Sequence, residues 1–226
     1  NTWNTVVDDI YILHQRLKQR YPDVPLCIMG HSMGSFLTRT YLIRYPGTVK
    51  AAVIMGTGWQ PQAAITGGLA LANAIAAVSG ENATSELVTE LAFGAYNKLF
   101  APNRTKVDWL SADESNVDDY IADPLCGADA TVGLFRQIPH GPRFNQRQSH
   151  LRQVDREMPV LFVAGDKDPV GSCGKGVRQT YDAFRAAGMR DCTLKLYPCL
   201  RHEILNEKAY TADITKNIEA WLLSRL

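Results

Sequence analysis

The stretch Gly30-His31-Ser32-Met33-Gly34 limits what this chain can fold into more than any other. Leu26-Cys27-Ile28-Met29 before it is a short apolar run after Pro25, the pattern of a buried strand, and the residues after Gly34 carry the pattern of a helix. Ser32 is therefore expected on the turn between the two. Such a turn leaves little room for a Cβ two residues before or after the serine, so Gly30 and Gly34 are both expected there for lack of space. The corner pushes the Ser32 hydroxyl clear of the backbone, beside the first amides of a helix, where developing negative charge is stabilised.

Composition excludes several functions. The 226 residues, 46% of them hydrophobic, suffice for a large core, most simply one domain with an insertion. Charges of both signs are interspersed and sum to +1, so neither nucleic acid nor an acidic polymer is implied as a partner. The longest apolar stretch, Leu69 to Val78, is interrupted by Asn73 and falls short of the ~18 residues a membrane span needs; it reads as a packed or interfacial helix. Cys27, Cys126, Cys173, Cys192 and Cys199 are an odd set without metal-ligand spacing, and read as buried, reduced thiols of a cytoplasmic chain with no metal site.

Taken in order, a helix is expected over Trp3–Arg20, with Val6, Ile10, Leu13 and Leu17 as its apolar stripe. A second helix, carrying Phe36, Leu37, Tyr41 and Leu42, follows the serine corner, and Val49–Met55 reads as a second buried strand. Alternating helices and continuous apolar strands imply a parallel sheet with helices on both faces. From Trp59 to Glu157 the pattern becomes helical, near 65–78, 85–100, 112–122 and 130–137, with Ser111 and Glu114 as a capping box. Strand character returns at Pro159–Ala164 and Thr193–Tyr197, separated by a helix over 175–187, and an amphipathic helix closes the chain. The division is thus a first core part (1–58), a helical cap insertion (59–157) and a second core part (158–226).

In a parallel sheet, chemistry gathers at the carboxyl ends of the strands. Ser32, the pair Asp166 and Asp168, and His202 all fall there. A serine hydroxyl needs a base of pKa near 7 and a carboxylate to fix that base's tautomer. Ser32, Asp168 and His202 supply nucleophile, acid and base in chain order; Asp168 is preferred because it sits on the loop before Pro169, while Asp166 caps the turn. His14, His31, His140 and His150 read as structural or solvated. Gly171-Ser172-Cys173-Gly174-Lys175-Gly176 is not a phosphate loop, since no Ser or Thr follows Lys175, and no cofactor is implied.

With Gly-His-Ser-Met-Gly at 30–34, Gly-Asp-Lys-Asp-Pro-Val at 165–170 and Arg-His-Glu-Ile-Leu-Asn-Glu at 201–207, the sequence resembles the α/β-hydrolase superfamily, within it the lysophospholipases, monoglyceride lipases and serine-aminopeptidase-like hydrolases. The resemblance implies Ser32 as nucleophile, Asp168 as acid, His202 as base and the Met33 amide as one oxyanion donor. Family members carry strands before the first helix seen here, and the loop after one of them gives a second oxyanion amide. Nothing in residues 1–25 fills that part. The N-terminal strands are therefore expected to be missing, and the isolated 226 residues to be poorly active and prone to aggregate.

The expected activity is hydrolysis of a carboxylic ester through an acyl-enzyme, with a monoacylglycerol or lysophospholipid as the small-molecule substrate and contact with a membrane or lipid aggregate through the cap. An aminopeptidase or amidase would need acidic cap residues near Ser32, and Asp113, Glu114, Asp118 and Asp119 look instead like a solvated helix face. A catalytically silent ligand-binding protein on the same fold is the alternative from another class.

Overall fold

The computed structural model describes residues 2–226. Helix α1 (Trp3–Arg20) begins at Thr2, whose hydroxyl accepts a hydrogen bond from the Thr5 amide. Strand β1 (Cys27–His31) runs into helix α2 (Met33–Arg44), and strand β2 (Ala51–Met55) follows. Far along the chain come strand β3 (Val160–Gly165), helix α10 (Lys175–Ala186), strand β4 (Cys192–Tyr197) and helix α11 (Thr211–Leu223). The four strands form one parallel sheet in the order β1-β2-β3-β4. All their carboxyl ends therefore lie along one edge.

Alternation along β2 and β3 explains the layers. Ala52, Ile54, Val160, Phe162 and Ala164 share a buried cluster with residues of α1, α2 and α10, while Val53, Met55, Leu161 and Val163 pack with Leu200, Ile204, Ile214 and Ile218. One sheet face is thus covered by three helices and the other by α11 and the loop before it. Each fully buried Leu, Ile, Val or Phe contributes about 1.5–3 kcal/mol, so β2 and β3 anchor the whole.

On α1 Trp3 and Val7 are buried and Val6 and Ile10 of the expected stripe pack against the same core, while Leu13 and Leu17 face solvent. Strand β1 is a sheet edge with exposed Cys27 and a Met29 that is 55% accessible. Edges of this kind template pairing with other chains. The cysteines are free but not buried: Cys27, Cys173 and Cys199 are exposed. Cys192 is half-buried, and burial pushes its thiol up to about 12.

Between β2 and β3 the regular elements are all helices, with one isolated antiparallel bridge joining Thr84 to Thr131. Helix α3 (Gln62–Ser79) is longer than the apolar run marks; its 18 residues are long and apolar enough to cross a membrane by length and composition, and 11% of them are buried. The stretch expected as one helix over 85–100 is α4 (Glu86–Thr89), a π-helical turn (Glu90–Gly94) and α5 (Ala95–Lys98) in succession. A 3-10 turn (Asp108–Leu110) precedes α6 (Glu114–Ala122). Asp113, not Ser111, caps α6, accepting from the Ser115 amide at 2.9 Å; Ser111 instead accepts from the Asp113 amide. Helices α7 (Val132–Gln137), α8 (His140–Asn145) and α9 (Gln148–Leu151) complete the segment, the last two too short to leave a period in the sequence.

Candidate active site

Ser32 stands at the corner between β1 and α2 with φ 54° and ψ −123°, a conformation L-residues avoid. Its amide donates to the Met55 carbonyl at 3.1 Å, and its own carbonyl accepts from the Ser35 amide and hydroxyl at 2.9 and 2.6 Å. These bonds hold the strained corner. A Cβ on Gly30 would stand 2.2 Å from the Gly34 carbonyl oxygen and 2.3 Å from the Thr38 hydroxyl, so glycine is required there. Gly34 differs from expectation: a Cβ there meets nothing within 4 Å. Gly30→Ala is therefore expected to destabilise the protein by about 1–3 kcal/mol, and Gly34→Ala to be neutral or stabilising by up to about 1 kcal/mol, as thermal melts of the two variants will show.

Asp168 and His202 meet. The His202 Nδ1–H donates to both Asp168 oxygens at 3.0 Å, and both side chains are buried. Asp168 Oδ1 also accepts from the Val170 amide at 2.9 Å, and its main-chain carbonyl accepts from the Cys173 amide at 2.8 Å. Asp166 serves the scaffold, accepting from the Cys199 amide at 2.8 Å and so tying the acid loop to the loop that carries His202. No hydrogen bond joins Ser32 Oγ to His202 among the described residues; the two share the wall of one cavity. Met33 is the first residue of α2, so its N–H has no acceptor within the helix.

The loop of His202 is clamped to the 3-10 turn. Arg201 donates to the Asp108 and Ser111 carbonyls at 2.5 and 2.9 Å, and the Glu203 amide donates to the Leu110 carbonyl at 2.8 Å. Buried Glu207 accepts from the Ala112 and Asp113 amides at 2.8 and 3.1 Å. The clamp brings the Trp109 ring 5.1 Å from that of His202. Neither Trp109 nor the clamp was legible, because 103–108 carries no period; an aromatic and a leucine amid polar residues were the only signal.

His31, read as structural, is next to the reacting groups. Its ring lies 4.5 Å from the His202 ring, and its Nε2–H donates to the His202 carbonyl at 3.0 Å. Burial, and then the neighbouring His202, hold His31 below its ordinary value near 6.5. The unfolded chain therefore takes up this proton before the folded one does, so stability falls as pH drops below about 6.5. Urea midpoints measured between pH 7.5 and 5 are expected to fall less steeply in His31→Gln than in the parent protein.

Two unlike cavities meet at Ser32. One, of about 340 Å³, is apolar and lined by Phe36, Ala64, Gly68, Ala72, Leu91 and Phe135 among others. The other, of about 840 Å³, holds His202 and Trp109, with Glu86, Glu90, Asp129 and Glu203 on its walls beside Lys106. The π-helical turn serves both: Leu91 and Ala92 line the first, Glu90 and Gly94 the second, and Phe93 both. The acidic residues considered from sequence do not gather here; Asp118 pairs with Arg104 at 2.7 Å and Asp119 with Lys208 at 3.0 Å on the surface. No cluster of His, Cys, Asp and Glu able to hold a metal is present among the described residues.

Residues 1–209 match the sequence family described as Serine aminopeptidase, S33. The chain is 30% identical over 231 residues to a monoacylglycerol lipase of Mycolicibacterium smegmatis, spanning 97% of this chain and 70% of that one. It is 25% identical to a monoglyceride lipase of Mus musculus, spanning 93% of this chain and 62% of that one. Among solved structures, a carboxyl esterase from Bacillus coagulans superposes with a TM-score of 0.91 at 23% identity, covering 100% of this chain and 73% of the esterase. A monoacylglycerol lipase from Paleococcus ferrophilus superposes at 0.73 with 18% identity, covering 100% and 77%. With the serine corner, the parallel sheet and the family match over most of its length, the chain belongs to the serine aminopeptidase, S33, family of the α/β-hydrolase superfamily, as a hydrolase of the esterase and lipase type.

Proposed function

We propose that this chain hydrolyses fatty-acyl esters of small polar alcohols, monoacylglycerols foremost, through an acyl-enzyme on Ser32. The observation that carries the proposal is the meeting of an apolar and a polar cavity at that one hydroxyl. An acyl chain fits the first and an alcohol the second, which puts the ester carbonyl at Ser32.

In this reading Asp168 keeps the proton of His202 on Nδ1, leaving Nε2 free to take the proton of Ser32 as Oγ attacks the ester carbon. The oxyanion that forms accepts a hydrogen bond from the Met33 amide. His202 then returns the proton to the departing alcohol, and water repeats the sequence to release the fatty acid. The serine-to-histidine hydrogen bond forms as substrate binds, as such contacts tighten in the loaded enzyme. Residues 59–157 act as the cap, and the exposed apolar α3 is the surface through which it meets a lipid aggregate.

The walls of the polar cavity bear on the head group. Four carboxylates against one lysine repel a phosphate and accommodate a neutral or cationic alcohol. They also keep an amide-cleaving role in view, since carboxylates near Ser32 are what an amine requires. Two measurements test the proposal. A fluorophosphonate probe is expected to label Ser32 and to fail on His202→Ala; no labelling of the parent chain favours a silent binding protein. Dodecanoyl glycerol is expected to turn over at least about tenfold faster than dodecanoyl glycerol phosphate or an N-dodecanoyl amide, and faster cleavage of the amide would favour the second reading.

A further inference from the structure

Arg39, on α2 two turns beyond Ser32, is fully buried and forms no salt bridge among the described residues. Its Nη1 donates to the Gly58 carbonyl at 2.9 Å and the Thr57 hydroxyl at 3.3 Å. Nε and Nη2 have no partner, and the guanidinium lies 5.4 Å from the centre of the Phe36 ring. Burial pulls the group down to about 9, so it remains a cation at neutral pH. A buried charge without a counter-ion is a poor way to stabilise a fold, and an apolar side chain of similar volume serves stability as well or better. The reason for this cation lies in what it holds.

The Gly58 carbonyl belongs to the loop after β2, which is packed backbone to backbone against the loop of Asp168. A Cβ on Gly58 would stand 2.3 Å from the Val170 carbonyl oxygen, one on Gly171 would stand 3.0 Å from the Thr57 carbonyl oxygen, and one on Gly176 would stand 2.9 Å from the Trp59 nitrogen. At Gly58 and Gly176 every near neighbour is a backbone atom, so no side chain there can take up slack. Val170, the residue pressed by Gly58, gives its amide hydrogen to Asp168 Oδ1, which also accepts from His202 Nδ1. Arg39, the Gly58 carbonyl, the Val170–Gly171 peptide, Asp168 and His202 are thus joined in one connected series.

We infer that Arg39 is a positioning residue for the acid and base: its guanidinium holds the loop after β2 against the acid loop and so fixes the direction of the Asp168 carboxylate. The inference rests on the proposed roles of Ser32, Asp168 and His202. It is tested on the full chain with a p-nitrophenyl ester, comparing Arg39→Met, Arg39→Lys, Gly58→Ala and Asp168→Asn. Arg39→Met is expected to melt at or above the parent temperature, with KM unchanged and kcat lower by about ten- to a hundredfold. The acid limb of its kcat/KM profile moves to lower pH, because the imidazolium loses part of its carboxylate support. Arg39→Lys restores most of kcat, since only one nitrogen of the guanidinium is engaged. Gly58→Ala keeps the cation but forces the loops apart, and is expected to reproduce the fall in kcat and the shift. If either Arg39→Met or Gly58→Ala has the parent kcat and pH profile while Asp168→Asn is inactive, the positioning role is wrong and the catalytic reading stands. An active Asp168→Asn overturns the catalytic reading itself.

Discussion

Asp168→Asn is expected to lower kcat on a fatty-acyl ester by about 10⁴-fold, roughly 5 kcal/mol of barrier, while leaving the fold unchanged. The size of the effect follows from the two bonds that Asp168 Oδ1 accepts. The Val170 amide, at 2.9 Å, is buried and must keep an acceptor, so an asparagine there turns its oxygen to Val170. Its NH₂ group then faces His202 Nδ1, now 3.0 Å from the carboxylate. A donor in that place forces the imidazole proton onto Nε2, the nitrogen that has to receive the proton of Ser32. The imidazole stays in position with its acid–base capacity reversed. Asp166→Asn, by contrast, keeps an oxygen for the Cys199 amide and is expected to change kcat by less than tenfold. Single-turnover acylation and thermal melts of both variants check this; a loss below tenfold for Asp168→Asn would remove the carboxylate from the mechanism.

How far the sequence reaches depends on whether a constraint is local. The serine corner was legible because a strand, a strained residue and a helix follow within a few positions, and the Gly30 contact at 2.2 Å gives the reason. Gly34 was misread because glycine two residues after the serine sits inside α2, where nothing crowds its Cβ. Asp168 and His202 could be nominated by their places after β3 and β4, yet their hydrogen bond depends on a register that only the sheet provides. The capping box at Ser111 matched in spacing, but Asp113 lies one residue before the helix and took the role. His31 and Trp109 were missed for a different reason. Their parts depend on where the loop of His202 rests: the His202 carbonyl accepts from His31 of β1, and the loop's clamp to residues 108–113, which brings in Trp109, joins segments about ninety positions apart with no trace in either.

Gly68→Leu is expected to end the gain in rate with acyl-chain length several carbons earlier while making α3 more stable. Ala64, Gly68 and Ala72 recur every four residues on one face of α3, and all three line the apolar cavity. Small side chains on that face are what leave about 340 Å³ of space, and a Cβ on Gly68 meets nothing within 4 Å. A leucine there occupies room that the last few methylenes of an acyl chain would fill. Each buried methylene contributes about 0.8 kcal/mol, or about fourfold in kcat/KM, so losing four of them costs on the order of a hundredfold. Esters of acetate and butyrate do not reach that depth and are expected to react as before. Leucine is also the better helix former, by about 0.5–1 kcal/mol over glycine, so the variant melts no lower than the parent. Measuring kcat/KM from acetyl to hexadecanoyl esters separates the outcomes. A curve that rises as before and then flattens several carbons earlier locates the acyl chain in this cavity; a uniform loss at every length, or none, removes α3 from the acyl site.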